Sequence, residues 1–140
     1  MVHTPPVNWI SLLQQRVKTG LPGHLGFEVD EVGAGHIVLR LTLQPYHLAP
    51  NGYLHAGTVV TMADTTCGFG CLSNLPEGAT NFTTIELKTS FLRTALQGTI
   101  RSEGTLVHGG RRTQVWDATV YDDARRALAL YRCTQMLIYD

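Results

Sequence analysis

The chain has 140 residues, 44% of them apolar, which is enough to fill one hydrophobic core but not two. Eleven Lys and Arg residues balance eleven Asp and Glu residues, so no net charge holds the protein on nucleic acid or on an anionic membrane. No apolar run reaches the roughly eighteen residues of a membrane-spanning helix, and the N-terminus lacks the features of a secretion signal. We therefore expect a soluble, cytoplasmic protein with no nucleic-acid or membrane partner.

The cysteine pattern excludes two further classes. The three cysteines are an odd number, and Cys67 and Cys71 lie four residues apart in a predicted helix. This spacing fits neither a disulfide framework nor a zinc site. We predict reduced, mostly buried thiols and no bound metal.

The first predicted element is a short amphipathic helix. Apolar residues recur at helical spacing from Trp9 to Val17, and Gly-Leu-Pro-Gly at residues 20–23 ends the segment. We therefore divide the chain into an N-terminal segment, residues 1–20, and one main domain, residues 21–140.

Strands dominate the main domain. Apolar residues alternate with polar ones over residues 25–30 and 37–43, and the intervening Gly33-Ala34-Gly35 supplies the positive φ angles of a hairpin. Four further strands follow the central region, and Gly-rich and Asp-rich turns join the last three as a meander. Their predicted bounds are 83–91, 98–107, 113–121 and 127–138.

The central region, from about His55 to Ser73, predicts one long helix. Its residues are weak helix formers, but nearly all are small or apolar, which is typical of a helix that is buried on most sides. An ordinary surface helix would carry a charged stripe, which is missing here. One buried helix among six strands predicts an α+β fold in which a single antiparallel sheet wraps round the helix.

Asp64 is the only charged residue between Arg40 and Glu77, apart from any charge on histidine. None of its helical neighbours can pair with a carboxylate ionically, and a lone buried carboxylate is costly unless it is hydrogen-bonded or neutralised. Asp64 is therefore either a general base or nucleophile, or a structural carboxylate that is capped by hydroxyl or amide donors. The residues alone leave both open.

His55 stands where a loop becomes the central helix. The N–H groups of Ala56 and Gly57 lack intrahelical acceptors and lie at the positive end of the helix dipole, where they can bind a developing oxyanion. A plain capping histidine is the alternative. Because nine residues of helix make two and a half turns and a rise of roughly 13 Å, His55 and Asp64 of one chain point apart. If both serve one reaction, they come from two subunits of a dimer.

The segments around His55 and Asp64 resemble the hotdog-fold acyl-CoA thioesterases of the PaaI type and the related 4-hydroxybenzoyl-CoA thioesterases. The pattern of that family is a glycine three residues before His-Gly-Gly and an Asp or Glu nine residues after the histidine, and the resemblance extends from about Leu21 to Ile138. It implies a thioesterase that hydrolyses an acyl-CoA to the free acid and coenzyme A, with no cofactor other than the CoA of its substrate. It also implies a homodimer or homotetramer with the site at a subunit interface.

The same resemblance assigns roles to individual residues. It makes Asp64 the base or nucleophile and puts the Ala56 N–H, beside His55, in the oxyanion hole, with Gly57 as the last glycine of the motif. Thr84 matches the Ser or Thr that positions the water or the carboxylate. In relatives, the helix start and the carboxylate come from opposite subunits, which agrees with the helix geometry.

The sequence departs from the family at two positions. Ala56 replaces the first glycine of His-Gly-Gly, and the asparagine that polarises the carbonyl in many relatives falls on Ala49. Asn51 takes that role or, with Gly52, only forms a turn. The basic residues predicted to hold the CoA phosphates are Arg93, Arg111 and Arg112, with Arg125 and Arg126 as the alternative pair.

Two other functions fit less well. The hydratases of this fold use Asp and His spacings that are absent here. A non-catalytic acyl-CoA-binding module remains the alternative, although the residues of the predicted site argue against it.

Overall fold

The computed structural model describes residues 6–140, so the first five residues of the segment predicted at 1–20 lie outside the described part. The chain folds into three α-helices and six strands. The helices are α1 (Trp9–Arg16), α2 (Gly20–Leu25) and α3 (Ala56–Ser73), and a short 3-10 turn covers Pro45–His47. The strands are β1 (Glu28–Gly33), β2 (His36–Thr42), β3 (Ala79–Phe91), β4 (Thr99–Gly109), β5 (Thr113–Tyr121) and β6 (Ala127–Tyr139).

The six strands form one antiparallel sheet in the order β1-β2-β4-β5-β6-β3, and α3 packs against its inner face. Residues of α1, α3 and all six strands share one hydrophobic core, with Trp116 and Met62 fully buried at its centre. The predicted α+β fold, with a sheet wrapped round one long helix, is confirmed. The three cysteines are free and buried, as predicted.

The N-terminal region differs from the prediction in one element. Residues 20–23 were expected to end the first helix, and a strand was expected from residue 25, but these residues form α2. Pro22 lies in the first turn of α2, where a missing N–H costs nothing. Gly26, at a φ of 88°, ends α2 in the left-handed conformation. A helix of six residues is too short to show a helical period in the sequence.

Close packing explains why α3 is built from weak helix formers. A Cβ on Gly70 would lie 2.7 Å from the ring of Trp116, and one on Gly68 would lie 3.0 Å from the ring of Phe82. Glycine at these positions lets the helix approach the sheet. No helix among residues 6–140 combines the length and the apolar character needed to cross a bilayer.

Strand β3 is an edge strand that pairs with β6 alone. A bulge at Ile85 separates the pairs Thr84–Gln135 and Glu86–Thr134. Because of this extra residue, Thr84 and Leu87 both point to the inner face of the sheet. Beyond the bulge, that inner face is poorly covered, since Leu87 is 42% exposed and Phe91 is 50% exposed.

Candidate active site

Asp64 lies in the middle of α3, half-buried, and faces strands β3 and β6. Its Oδ1 accepts a hydrogen bond from the Tyr131 hydroxyl at 2.8 Å and lies 3.3 Å from the Thr84 hydroxyl. None of the residues from 6 to 140 donates to Oδ2. The carboxylate is therefore anchored through one oxygen, while the other oxygen is left for a ligand.

Tyr131 lies on the inner face of β6 and is only 3% exposed. Burial is the main cause that raises the pKa of Tyr131 well above its usual range, and the Asp64 carboxylate adds to the effect. The phenol therefore stays protonated and acts as a donor to Asp64 throughout the physiological range.

Thr84 has a second partner, the Oε1 atom of Gln135 at 2.8 Å. A hydroxyl carries one proton and can donate to one acceptor at a time. Because Gln135 is the nearer acceptor, Tyr131 is the principal donor to Asp64. Gln135 is fully buried, and its Nε2 lies 3.3 Å from the sulfur of Cys133.

The thiols of Cys67 on α3 and Cys133 on β6 lie next to this group. Burial raises the pKa of Cys67, and the hydrogen bond from Cys67 lowers the pKa of Cys133. A thiol pair, an amide and two hydroxyls therefore form one continuous polar group around Asp64.

The sequence interpretation missed Tyr131 and Gln135. Both belong to the alternating inward row of β6, whose other members are Ala129, Cys133 and Leu137. A hydroxyl and an amide in a buried row are a detectable signal, because a polar group at such a position needs a partner in the core.

The start of α3 differs in character from its middle. His55 caps the helix, and its Nδ1 accepts from the Gly57 N–H at 2.7 Å. The expectation that the Gly57 N–H is open to a ligand is therefore wrong, because the capping imidazole occupies it. The Ala56 N–H has no acceptor in the part of the chain that the structure describes, and Ala56 is exposed. One free amide is left at the positive end of the helix.

An open depression of about 380 Å³ lies beside this helix start. Its wall combines the loop before α3, the first turn of α3 and the segment after β3: Tyr53, Leu54, Ala56, Val59, Phe91, Leu92, Arg93 and Thr94. Arg93 brings a positive charge to the mouth, where its Nη1 donates to the Ala127 carbonyl at 3.2 Å. Apolar walls with one cation fit a ligand that has an apolar part and an anionic part.

The other predicted arginines lie elsewhere. The Arg93 N–H donates to the carbonyl of Leu128, whereas the carbonyl of Arg112 accepts from Leu137, nine residues further along β6. At about 3.3 Å per residue these positions are roughly 30 Å apart. Arg111 and Arg112 line a separate depression of about 250 Å³ together with Tyr139. Within one chain, Arg93 and this pair therefore do not bind the same phosphate.

Asn51 is occupied by a local turn. Its Oδ1 accepts from the Tyr53 N–H at 3.3 Å, and Gly52 between them has a φ of 89°. This is the arrangement that an Asn-Gly turn favours. A role for Asn51 toward a substrate carbonyl stays a prediction. Residues 6–140 contain no group of three or more His, Cys, Asp or Glu side chains that could hold a metal ion.

The sequence around both halves of this site matches a known family. Residues 51–129, more than half of the chain, match the thioesterase superfamily. The chain belongs to this superfamily. The match begins at the turn before α3 and includes His55, Asp64 and Thr84.

Relatives and solved structures agree with this membership. A 1,4-dihydroxy-2-naphthoyl-CoA hydrolase of Listeria monocytogenes is 28% identical over 115 residues, 82% of this chain and 93% of the relative. A thioesterase of Haemophilus influenzae shares the fold with a TM-score of 0.86 at 24% identity, over 93% of this chain and 90% of its own. The PaaI protein of the Escherichia coli phenylacetic acid degradation operon has a TM-score of 0.82 at 22% identity, over 93% and 92%. The predicted hotdog fold and the predicted thioesterase class are confirmed.

Proposed function

We propose that this thioesterase hydrolyses an acyl-CoA to the free carboxylic acid and CoA, with Asp64 as general base or nucleophile. The observation that carries the proposal is the half-anchored carboxylate, since Oδ1 is held by Tyr131 while Oδ2 has no donor among the described residues. An acceptor without a competing donor is free to take a proton from water or to attack a carbonyl carbon.

The reaction has two routes that this geometry supports equally. In one, Asp64 removes a proton from a water molecule that attacks the thioester carbon. In the other, Asp64 attacks that carbon and forms an anhydride, which water then hydrolyses. Both routes break the C–S bond, transfer the hydroxyl of water to the acyl group and release CoA as a thiolate that is then protonated.

The oxyanion hole comes from a second copy of the chain. Asp64 lies eight residues after Ala56 on the same helix, a rise of about 12 Å, which is too far for both to contact one carbonyl group. The unpaired edge of β3 and its exposed Leu87 and Phe91 support a dimer interface next to Asp64. In such a dimer, the free N–H of Ala56 of the partner subunit stabilises the developing negative charge. A tetramer stays a prediction.

CoA needs a cationic contact outside the reacting centre. Arg93 is the best placed of the predicted arginines, because it lies at the mouth of the depression beside Ala56. The apolar wall of the same depression suits the acyl chain or the pantetheine arm. Arg111 and Arg112 would serve a phosphate only from another subunit.

A thiol-release assay with Asp64→Asn tests the proposal. The panel contains short, medium and aromatic acyl-CoAs, the last including a hydroxynaphthoyl-CoA. We expect turnover by the wild type and a loss of about a thousandfold or more in Asp64→Asn. Asp117→Asn is the matched control, because Asp117 only pairs with Arg132 on the sheet surface.

Two outcomes would contradict the proposal. Equal rates for wild type and Asp64→Asn would remove Asp64 from the mechanism. Tight binding of acyl-CoA by calorimetry, without thiol release from any substrate, would favour the non-catalytic binding module.

A further inference from the structure

We propose that Tyr131 is a positioning residue that fixes Asp64 through Oδ1 and so makes Oδ2 the reacting atom. This inference rests on the proposed function of Asp64. The Tyr131 hydroxyl lies 2.8 Å from Oδ1, whereas Thr84 lies 3.3 Å away and has the nearer acceptor Gln135. The resemblance assigns to Thr84 the positioning of the water or of the carboxylate, and the distances give the carboxylate-positioning role to Tyr131.

No positively charged side chain among residues 6–140 pairs with the Asp64 carboxylate, so its hydrogen-bond donors are what hold it. No Lys, Arg or His among residues 6–140 forms an ion pair with Asp64. The titratable groups that act on it are Cys67 on its own helix and Tyr131 and Cys133 on β6, while β3 contributes only the hydroxyl of Thr84. None of these groups is a cation. The carboxylate is therefore held by hydrogen bonds alone, and the one from the Tyr131 hydroxyl is the shortest.

The position of Tyr131 also fixes the direction of the carboxylate. Its backbone is in the centre of β6, which is hydrogen-bonded on both sides to β5 and β3. A donor on such a strand has little freedom, so it holds Oδ1 in one place and leaves Oδ2, which has no donor among residues 6–140, as the atom that can react. A rigid donor of this kind is expected to affect kcat through the orientation of Asp64, with little effect on substrate binding.

The test is the separate measurement of kcat and KM for Tyr131→Phe. Without this donor the carboxylate loses its fixed orientation, which turnover needs and substrate binding does not, so kcat should fall by about ten- to a hundredfold with KM nearly unchanged. Thr84→Val should lose less, because the Thr84 hydroxyl has Gln135 as its nearer acceptor. Tyr121→Phe is the control, because it removes a tyrosine hydroxyl on β5, where the ring lies under Arg125, and its kcat and KM should match the wild type.

A second variant keeps the fold intact. Replacing Tyr131 with 3-fluorotyrosine retains the ring and the hydroxyl, so kcat should stay near the wild-type value. A fall in kcat in Tyr131→Phe that the fluorotyrosine protein does not share would support the positioning role. A wild-type kcat in Tyr131→Phe, a change in KM alone, or an equal loss in both variants would overturn it.

The outcome is separable from the proposed function. If Asp64→Asn is inactive while Tyr131→Phe keeps the wild-type kcat, only the role of Tyr131 is lost. If Asp64→Asn keeps full activity, both proposals are wrong.

Discussion

The two halves of α3 present opposite arrangements on one helix. At its middle, Asp64 is enclosed by groups of its own chain, with Tyr131 and Thr84 at one carboxylate oxygen. At its start, Ala56 is exposed and its N–H faces an open depression. The groups that contact Asp64 all come from its own chain, whereas the Ala56 N–H has no acceptor among residues 6–140.

This difference suits two stages, in which folding forms the Asp64 half of the site and dimerisation brings the helix start to it. The surroundings of Asp64 form as soon as β3 and β6 pair over α3, because every donor comes from those strands. In the proposed dimer, the helix start gains a function when the carboxylate of the partner subunit is brought to it. We therefore expect folding to prepare two half-sites and dimerisation to make them active.

Subunit complementation is the strongest test of this comparison. Asp64→Asn and Ala56→Pro, each expected to be inactive alone, are co-expressed with different affinity tags. Proline removes the free N–H and is tolerated at the first position of a helix, which Ala56 occupies in α3. Random pairing makes half of the dimers mixed, with one intact site of two, so activity should return to about a quarter of the wild-type value. A mixture that stays at the sum of its inactive parents would show that both halves of a site belong to one chain.

Glycine substitutions in α3 test how firmly the Asp64 half is packed. In Gly70→Ala the new Cβ would lie 2.7 Å from the fully buried Trp116 ring, so we expect the free energy of unfolding to fall by about 1–3 kcal/mol. In Gly68→Ala the new Cβ would lie 3.0 Å from the edge of the half-buried Phe82 ring. That ring can shift, and the better helix propensity of alanine offsets the strain. Equal losses in urea unfolding would contradict this packing.

The helix start should respond through its cap. A Cβ on Gly57 would lie 2.9 Å from Nδ1 of His55, so Gly57→Ala should displace the imidazole and lose up to about 1 kcal/mol of stability. In a His55→Ala background the same change should stabilise by up to about 1 kcal/mol, because the clash is gone and alanine favours the helix. The check is a double-mutant cycle by urea unfolding. Additive effects would mean that the ring and Gly57 do not interact.

The smallest expected effect is that the three cysteine thiols do not react in the folded protein. All three cysteines are buried, and burial raises the pKa of Cys71 to about 12, so this thiol is protonated at pH 8. We expect the folded protein to react with Ellman's reagent only as fast as it unfolds, and the protein in guanidinium to release three equivalents at once. Rapid reaction of one thiol in the native state would show that the Asp64 half is open to solvent.

Local patterns predicted most of the fold. Alternation gave the strands, and the run of small and apolar residues predicted a buried α3 with an isolated Asp64. The failures depend on information outside any local window. α2 is a helix of only six residues that is capped by Gly26. The partners of Asp64 depend on the register of β6 against β3, which the bulge at Ile85 shifts by one residue.

The candidate site was predicted in the same uneven way. The positions of His55 and Asp64 follow from one helix, so their separation was calculable from the sequence. The hydrogen bond from Tyr131 joins residues 67 positions apart. No periodicity encodes such a contact, because it exists only after the sheet has formed.

The position of β6 in the sheet also has a consequence for synthesis on the ribosome. β3 is translated well before β6 but pairs with no other strand, so it must wait while β4 and β5 emerge. During that interval its apolar residues are exposed in the nascent chain, and they are a target for chaperones. Tyr131 and Gln135 arrive on the strand that ends this interval. The event that protects the chain from aggregation is therefore the same event that surrounds Asp64 with its donors.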